Sequence, residues 1–200
     1  MLKTAFIIRG FTLNTSAADA DFAELRAMVA AQGYSVVPVA ITWNHKTISQ
    51  FVKQFADIYH QEKTEYNVVI GGSFGAMAAF VAAPIIHPNR LILCSLSGLF
   101  KEDINTTDLA RMKRLNAWLG KRRVADCLAL SAEDTAQKVD RLSIPTALFY
   151  GEKEKLLYPR LVSRVKSTAK ALRQHELIEV PNAGHQMRHT LYAREIVKKL

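Results

Sequence analysis

Between residues 68 and 77 the chain reads Val-Val-Ile-Gly-Gly-Ser-Phe-Gly-Ala-Met, which dictates a strand, a sharp turn and a helix in succession. Tyr66, Val68, Val69 and Ile70 lead in as β-formers. Ala76, Met77, Ala78, Ala79 and Phe80 lead out as a small, helix-prone run. Gly71, Ser73 and Gly75 fit the pattern Gly-x-Ser-x-Gly. A serine at such a turn takes a strained backbone with φ > 0. The residues two before and two after it must be small, because strand and helix nearly touch. The turn lifts the hydroxyl above the sheet, where the opening N–H groups of the helix also point. A turn that is merely glycine-rich shares this local pattern, so the partners of Ser73 decide its meaning.

Apolar runs and breakers alternate regularly along the rest of the chain. Strands are predicted near 4–9, 34–40, 66–71, 90–95, 145–150 and 175–180, and helices near 17–32, 46–62, 74–83, 159–173 and 188–199. Gly33, Pro88-Asn89, Pro145 and Pro159 mark joints. Continuous apolar strands alternating with helices imply an α/β protein with a parallel sheet covered on both faces.

A serine hydroxyl is a poor nucleophile until a base takes its proton. Six histidines are present. His45, His60 and His87 read as surface or capping residues, His175 opens a strand-like run, and His189 begins the last helix. His185 differs. It lies in Val-Pro-Asn-Ala-Gly-His-Gln-Met, directly after the last predicted strand. Such a loop sits at the C-terminal edge of a parallel sheet, where active sites gather. A carboxylate must then orient the imidazole and stabilise its charged form. The preceding strand, Thr146–Tyr150, runs into Gly151, and Glu152 and Glu154 both follow it. Alternation at a strand end leaves both glutamates open.

The chain order Ser73, Glu154, His185, each at the end of a predicted strand, resembles the α/β-hydrolase superfamily. Phe-Ile-Ile-Arg-Gly-Phe, residues 6–11, looks like the first-strand exit that commonly reads His-Gly in these enzymes. Tyr-Gly-Glu-Lys-Glu-Lys looks like their acid loop, and Asn-Ala-Gly-His-Gln-Met like the loop of the base. Nearly the whole chain is covered. The resemblance implies a serine hydrolase of carboxylesterase type: Ser73 as nucleophile, His185 as base, Glu154 ahead of Glu152 as acid, and the amides of Phe11 and Phe74 as oxyanion hole. It implies no cofactor and a small acyl ester as substrate. Arg9 replaces the usual histidine at the pocket rim, and a glutamate replaces the commoner aspartate. Thioesterase, amidase, C–C hydrolase and lysophospholipase chemistry fit the same residues, as does a binding or sensor protein with negligible turnover. Only three residues precede the first strand, so the antiparallel hairpin of larger members is not expected. The expected architecture is a minimal α/β-hydrolase fold: one domain over 1–200, a six-stranded, mostly parallel sheet, and a short helical cap at about 99–143.

Within that insertion, Thr106 or Thr107 can cap a helix running to about Gly120. Leu109, Met112, Leu115, Trp118 and Leu119 make one stripe, which suits either a lid over an acyl pocket or a helix packed on the core. Leu115 and Trp118, with Arg9 and Met187, are the candidate substrate contacts. Ser131–Leu142 reads as a second, capped helix.

Composition narrows the remaining classes. Residues 1–100 carry seven Lys/Arg against six Asp/Glu, and residues 101–200 carry twenty against twelve, within a net charge of +9. Arg111, Lys113, Arg114, Lys121, Arg122 and Arg123 concentrate the excess. This basic cap face is either simply solvated or able to meet anionic surfaces. It carries no nucleic-acid motif, and no nucleic-acid partner is expected. No apolar run reaches membrane-spanning length. The first eleven residues read as a strand rather than a leader, since Arg9 breaks them. Cys94 and Cys127 form neither a disulfide framework nor metal-site spacing, and a reducing cytoplasm is the expected compartment.

Overall fold

The computed structural model describes residues 1–10, 22–39, 46–105, 109–185 and 190–200. Among these residues six strands form one sheet: β1 (Lys3–Ile8), β2 (Ser35–Val39), β3 (Tyr66–Gly72), β4 (Arg90–Cys94), β5 (Thr146–Gly151) and β6 (His175–Val180). Their order is β2-β1-β3-β4-β5-β6, and all five pairings are parallel, so "mostly parallel" becomes entirely parallel. The order reverses between β1 and β3. A crevice opens at the C-terminal ends of strands flanking such a reversal, and Gly10 and Ser73 stand there.

Alternation along the strands feeds two cores. Phe6 and Ile8 of β1, Val69 of β3 and Leu148 of β5 face one side, where they meet α2 (Ile48–Glu62) and α3 (Phe74–Ile86). Ala5, Ile7, Val68, Ile70, Ala147 and Phe149 face the other, against α1 (Ala23–Ala31) and α10 (Thr190–Val197). Both faces of every central strand are apolar for that reason. The edge strand β2 alone contains a proline, Pro38, where a missing N–H costs least.

Between β4 and β5 come α4 (Lys101–Ile104), α5 (Leu109–Leu119), α6 (Lys121–Ala129) and α7 (Ala132–Arg141). Ser131 caps α7 by accepting the Asp134 N–H at 3.0 Å. The helix α6 was not expected, because Lys121, Arg122 and Arg123 mask it. Its buried contacts are Val124 and Cys127, one turn apart, and Gly120 at φ 84° breaks the chain between α5 and α6. Arg123 is also diverted from the basic face: its Nε donates to the Lys46 carbonyl at 2.7 Å and its guanidinium to the Leu119 carbonyl at 3.1 Å. After β5 come α8 (Glu154–Leu157) and α9 (Pro159–Lys170). Arg164 on α9 grips Asp103 on α4 in a bidentate pair, its terminal nitrogen donating to Oδ1 at 2.8 Å and its Nε to Oδ2 at 3.0 Å, tying the insertion to the sheet-covering helices. Among the described residues, no helix is long and apolar enough to cross a membrane. The expected Thr106 or Thr107 cap, together with His45, His189, Phe11 and Met187, lies outside the described residues.

Candidate active site

Ser73 stands between the last residue of β3 and the first of α3 with φ 53° and ψ −116°. An L-residue holds that conformation only when its surroundings impose it. Two glycines make the approach possible, for different reasons. A Cβ on Gly71 would lie 2.6 Å from the Gly75 carbonyl oxygen and 2.7 Å from the Ala76 Cα, which is the strand–helix contact the pattern implies. A Cβ on Gly75 would instead strike β1, 2.3 Å from the Arg9 carbonyl oxygen and 2.4 Å from that of Ile8. The second glycine therefore seats α3 against the exit of the neighbouring strand. Gly10 lies against the Ser73 side chain, since a Cβ there would sit 3.0 Å from the Ser73 Cβ. Phe74 opens α3, and the opening amides of a helix lie outside its own hydrogen-bond ladder.

The structure brings Ser73, His185 and Glu154 into one line. His185 Nε2 lies 3.1 Å from Ser73 Oγ, and His185 Nδ1 lies 2.6 Å from Glu154 Oε1. Glu154 is wholly buried, whereas the His185 side chain is 31% exposed. A buried carboxylate must have its lone pairs filled. The Gly151 N–H donates to Glu154 Oε2 at 2.7 Å and the Ser95 hydroxyl at 2.9 Å, while the Tyr192 hydroxyl stands 3.3 Å away and 3.0 Å from Ser95 Oγ. Burial, reinforced by the Glu154 charge, pushes the Tyr192 phenol and the neighbouring Cys94 thiol well above their ordinary values. Both stay protonated at neutral pH, and Tyr192 remains a donor.

Glu152 has a different position. Its carboxylate accepts the Asn182 N–H at 2.8 Å, and the Lys153 N–H donates to the Ala183 carbonyl at 2.9 Å. These bonds stitch the loop after β5 to the loop after β6, so Glu152 braces the segment that carries His185. On the outer side of the site, the Tyr158 ring lies 5.0 Å from the His185 ring.

Ser95 and Tyr192 were missed in the sequence. Ser95 follows β4 and so shares the strand-end position that marks the other members, and its φ of 52° gives it a strained turn of its own. Tyr192 carries no local signal. It reaches the carboxylate only because α10 packs back across the sheet.

The two candidate contacts on α5 part company. Leu115 is 7% exposed and joins the core that covers α3. Trp118 is 56% exposed, with its ring edge-on to Phe74 at 6.0 Å. Leu109, at 83% exposed, leaves the expected stripe altogether. Arg9 is half-buried, and among the described residues its Nε and one terminal nitrogen have no hydrogen-bond partner. Leu115→Ala should then cost about 2–4 kcal/mol of stability, as large-to-small core changes do. Trp118→Ala should cost less than about 1 kcal/mol. Thermal denaturation of both variants checks this, and equal losses would contradict the division.

No family model matches the chain, and no curated protein matches it by sequence. Solved structures do. Est1E of Butyrivibrio proteoclasticus, solved with bound ferulic acid, superposes with a TM-score of 0.76 at 18% identity, covering 100% of this chain and 87% of that one. The mouse alpha/beta hydrolase domain-containing protein 10 superposes at 0.74 and 10% identity, with coverages of 98% and 87%. A meta-cleavage product hydrolase of Pseudomonas fluorescens IP01 superposes at 0.69 and 13% identity, with coverages of 98% and 89%.

Proposed function

The chain has the α/β-hydrolase fold, and on that premise we propose that it is a serine hydrolase cleaving an ester-type acyl bond. One observation carries the reading: a strained Ser73 hydroxyl 3.1 Å from an imidazole whose other nitrogen is held, at 2.6 Å, by a fully buried carboxylate. A structural serine can share the strained backbone, as Ser95 does at φ 52°, but it needs no such imidazole and carboxylate behind its hydroxyl.

In the mechanism, His185 takes the Ser73 proton as Oγ attacks the carbonyl carbon. The negative charge moves to the carbonyl oxygen, which the Phe74 and Phe11 amides receive. Each such donor is typically worth about 3 kcal/mol of transition-state stabilisation. His185 then passes its proton to the leaving oxygen, and the carbon–oxygen bond breaks. Water, activated by the same imidazole, releases the acid and restores Ser73. Glu154 keeps the proton on Nδ1, so that Nε2 faces Ser73 as an acceptor. Trp118, beside Phe74, serves as an exposed wall for the acyl chain.

A fluorophosphonate probe should label the protein once, at Ser73, and Ser73→Ala should abolish both labelling and turnover of a short acyl ester. Labelling of another serine, or turnover that survives Ser73→Ala, would overturn the reading. A second consequence concerns chain length. Trp118→Ala should raise KM for medium-chain esters several-fold while leaving kcat on acetyl esters near its original value. An unchanged chain-length profile would remove Trp118 from the pocket.

A further inference from the structure

Three consecutive large apolar side chains stand in the open at the corner between α8 and α9. Leu156 is 86% exposed, Leu157 62% and Tyr158 47%. A surface that meets water alone rarely keeps such a run. Trp118 on α5 is also exposed. Contacts place both groups at the rim of the proposed catalytic centre: the Trp118 ring meets Phe74 beside Ser73, and the Tyr158 ring lies 5.0 Å from His185. The α5 helix and this corner also share one cavity of about 330 Å³, lined by Arg111 and by Leu157 to Leu161. Apolar groups thus stand on two sides of the opening over Ser73.

Cations frame these groups. Lys113 and Arg114 precede Trp118 on α5, Arg114 by one turn, and Lys121 and Arg122 open α6 just past Gly120. Lys153 and Arg160 bracket the run at 156–158. All six are exposed. Over residues 108–125 and 151–161 the sequence carries nine Lys/Arg against three Asp/Glu, Asp108 included, so these two stretches hold +6 of the net +9. Of the other two acids, Glu154 is buried against its donors, and Glu152 accepts the Asn182 N–H. Lys155, also at the corner, pairs with Glu179 at 2.6 Å.

Apolar tips inside a cationic frame match one kind of surface. In a bilayer with anionic headgroups, leucine and aromatic side chains enter the boundary between headgroup and acyl chain, while Lys and Arg stay among the phosphates. Trp and Tyr suit that boundary, since each has an apolar body and a polar tip. Each cation near such a surface strengthens binding about fivefold, an effect that fades within a Debye length. A fluid headgroup layer adapts to cations on long, exposed side chains, whereas a folded partner would need carboxylates in matching register. We propose that the rim of the site, Leu156 and Leu157 with Tyr158 and Trp118, docks on an anionic lipid bilayer, the surrounding lysines and arginines meeting its headgroups. The attachment is peripheral, and it turns the opening over Ser73 toward the lipid.

Sedimentation of the full chain with vesicles tests this. Phosphatidylcholine vesicles with about 30% phosphatidylglycerol should bind it at least tenfold more tightly than phosphatidylcholine alone, and about 0.5 M salt should remove most of the difference. Leu156→Ser with Leu157→Ser should weaken binding to the anionic vesicles about tenfold. Lys121→Gln with Arg122→Gln should weaken it by about as much. Arg141 and Lys170 close α7 and α9 at the opposite edge of the sheet, before β5 and β6 begin. Changing both to Gln removes the same charge and should alter binding less than about twofold. All six positions are exposed, so melting temperatures should hold. Ser73→Ala should bind vesicles as the parent does, so docking stands even if the hydrolase reading falls. Equal binding to neutral and anionic vesicles, equal effects of the two charge pairs, or no effect of the leucine pair overturns the proposal. So does a lipid-free dimer that the leucine pair dissolves, which would give the face to a second copy. Ester turnover by Ser73 without vesicle binding would sink the docking and keep the hydrolase reading.

Discussion

Replacing His185 by alanine should lower kcat on a short ester by at least about 10³-fold while leaving the fold intact. Ser73 Oγ then loses the nitrogen 3.1 Å away that takes its proton. The remaining rate would come from substrate binding and the oxyanion donors alone, which in comparable triads still exceed water by about 10³–10⁴. The fold should survive because the His185 loop is held by hydrogen bonds of its main chain that do not involve the ring. These are the Lys153 N–H on the Ala183 carbonyl at 2.9 Å and the Asn182 N–H on Glu152 at 2.8 Å. Steady-state kinetics and a circular-dichroism melt on the same preparation read both quantities. Adding Ser73→Ala to His185→Ala should cost little more than either change alone, since the two groups act as a unit. A loss below about tenfold for His185→Ala, or additive losses in the pair, would mean that Ser73 is served by another base or by none.

The parts of this site legible in the sequence are those fixed by backbone geometry. Gly71 and Gly75 bracket a turn whose strain leaves few residue choices, and the loop carrying His185 follows a strand whose partner strand leads into Glu152 and Glu154. Each is a strand-end position, so periodicity and breakers found them together. Contacts between distant segments were not legible. Nothing near Tyr192 says that α10 crosses to Glu154, 38 residues away in sequence. The helix α6 was hidden for a related reason: three basic residues dominate its start, and the two residues that bury it are a single turn of pattern. Leu115 and Trp118 share a helical stripe in sequence, yet one lies in the core and the other in the open. Periodicity defines a face of a helix without saying how far along it the neighbouring element reaches.

The choice between the two glutamates can be made by a charge-neutral change at each. Glu154→Gln keeps the size of the side chain but leaves one carbonyl oxygen where two carboxylate oxygens stood. That oxygen best takes the place of Oε2, where the Gly151 N–H and the Ser95 hydroxyl donate at 2.7 and 2.9 Å. The reverse orientation would set an amide donor against those donors in a fully buried site, at about 1–3 kcal/mol for each unsatisfied group. The NH2 therefore faces His185 Nδ1 and demands an acceptor there. The ring proton moves to Nε2, which can no longer take a proton from Ser73. The expected outcome is a fall in kcat of about 10²–10⁴ with little change in melting temperature. Glu152→Gln should change kcat by less than about threefold, because a glutamine carbonyl accepts the Asn182 N–H as the carboxylate does. Ser95→Ala and Tyr192→Phe each remove one hydroxyl that supports Glu154, and each should fall between these limits, near tenfold. The four variants are ranked by kcat on one short ester, with melting temperature as the control. A larger loss from Glu152→Gln than from Glu154→Gln would make Glu152 the acid, and the buried network around Glu154 would then be a support for the β4–β5 edge instead.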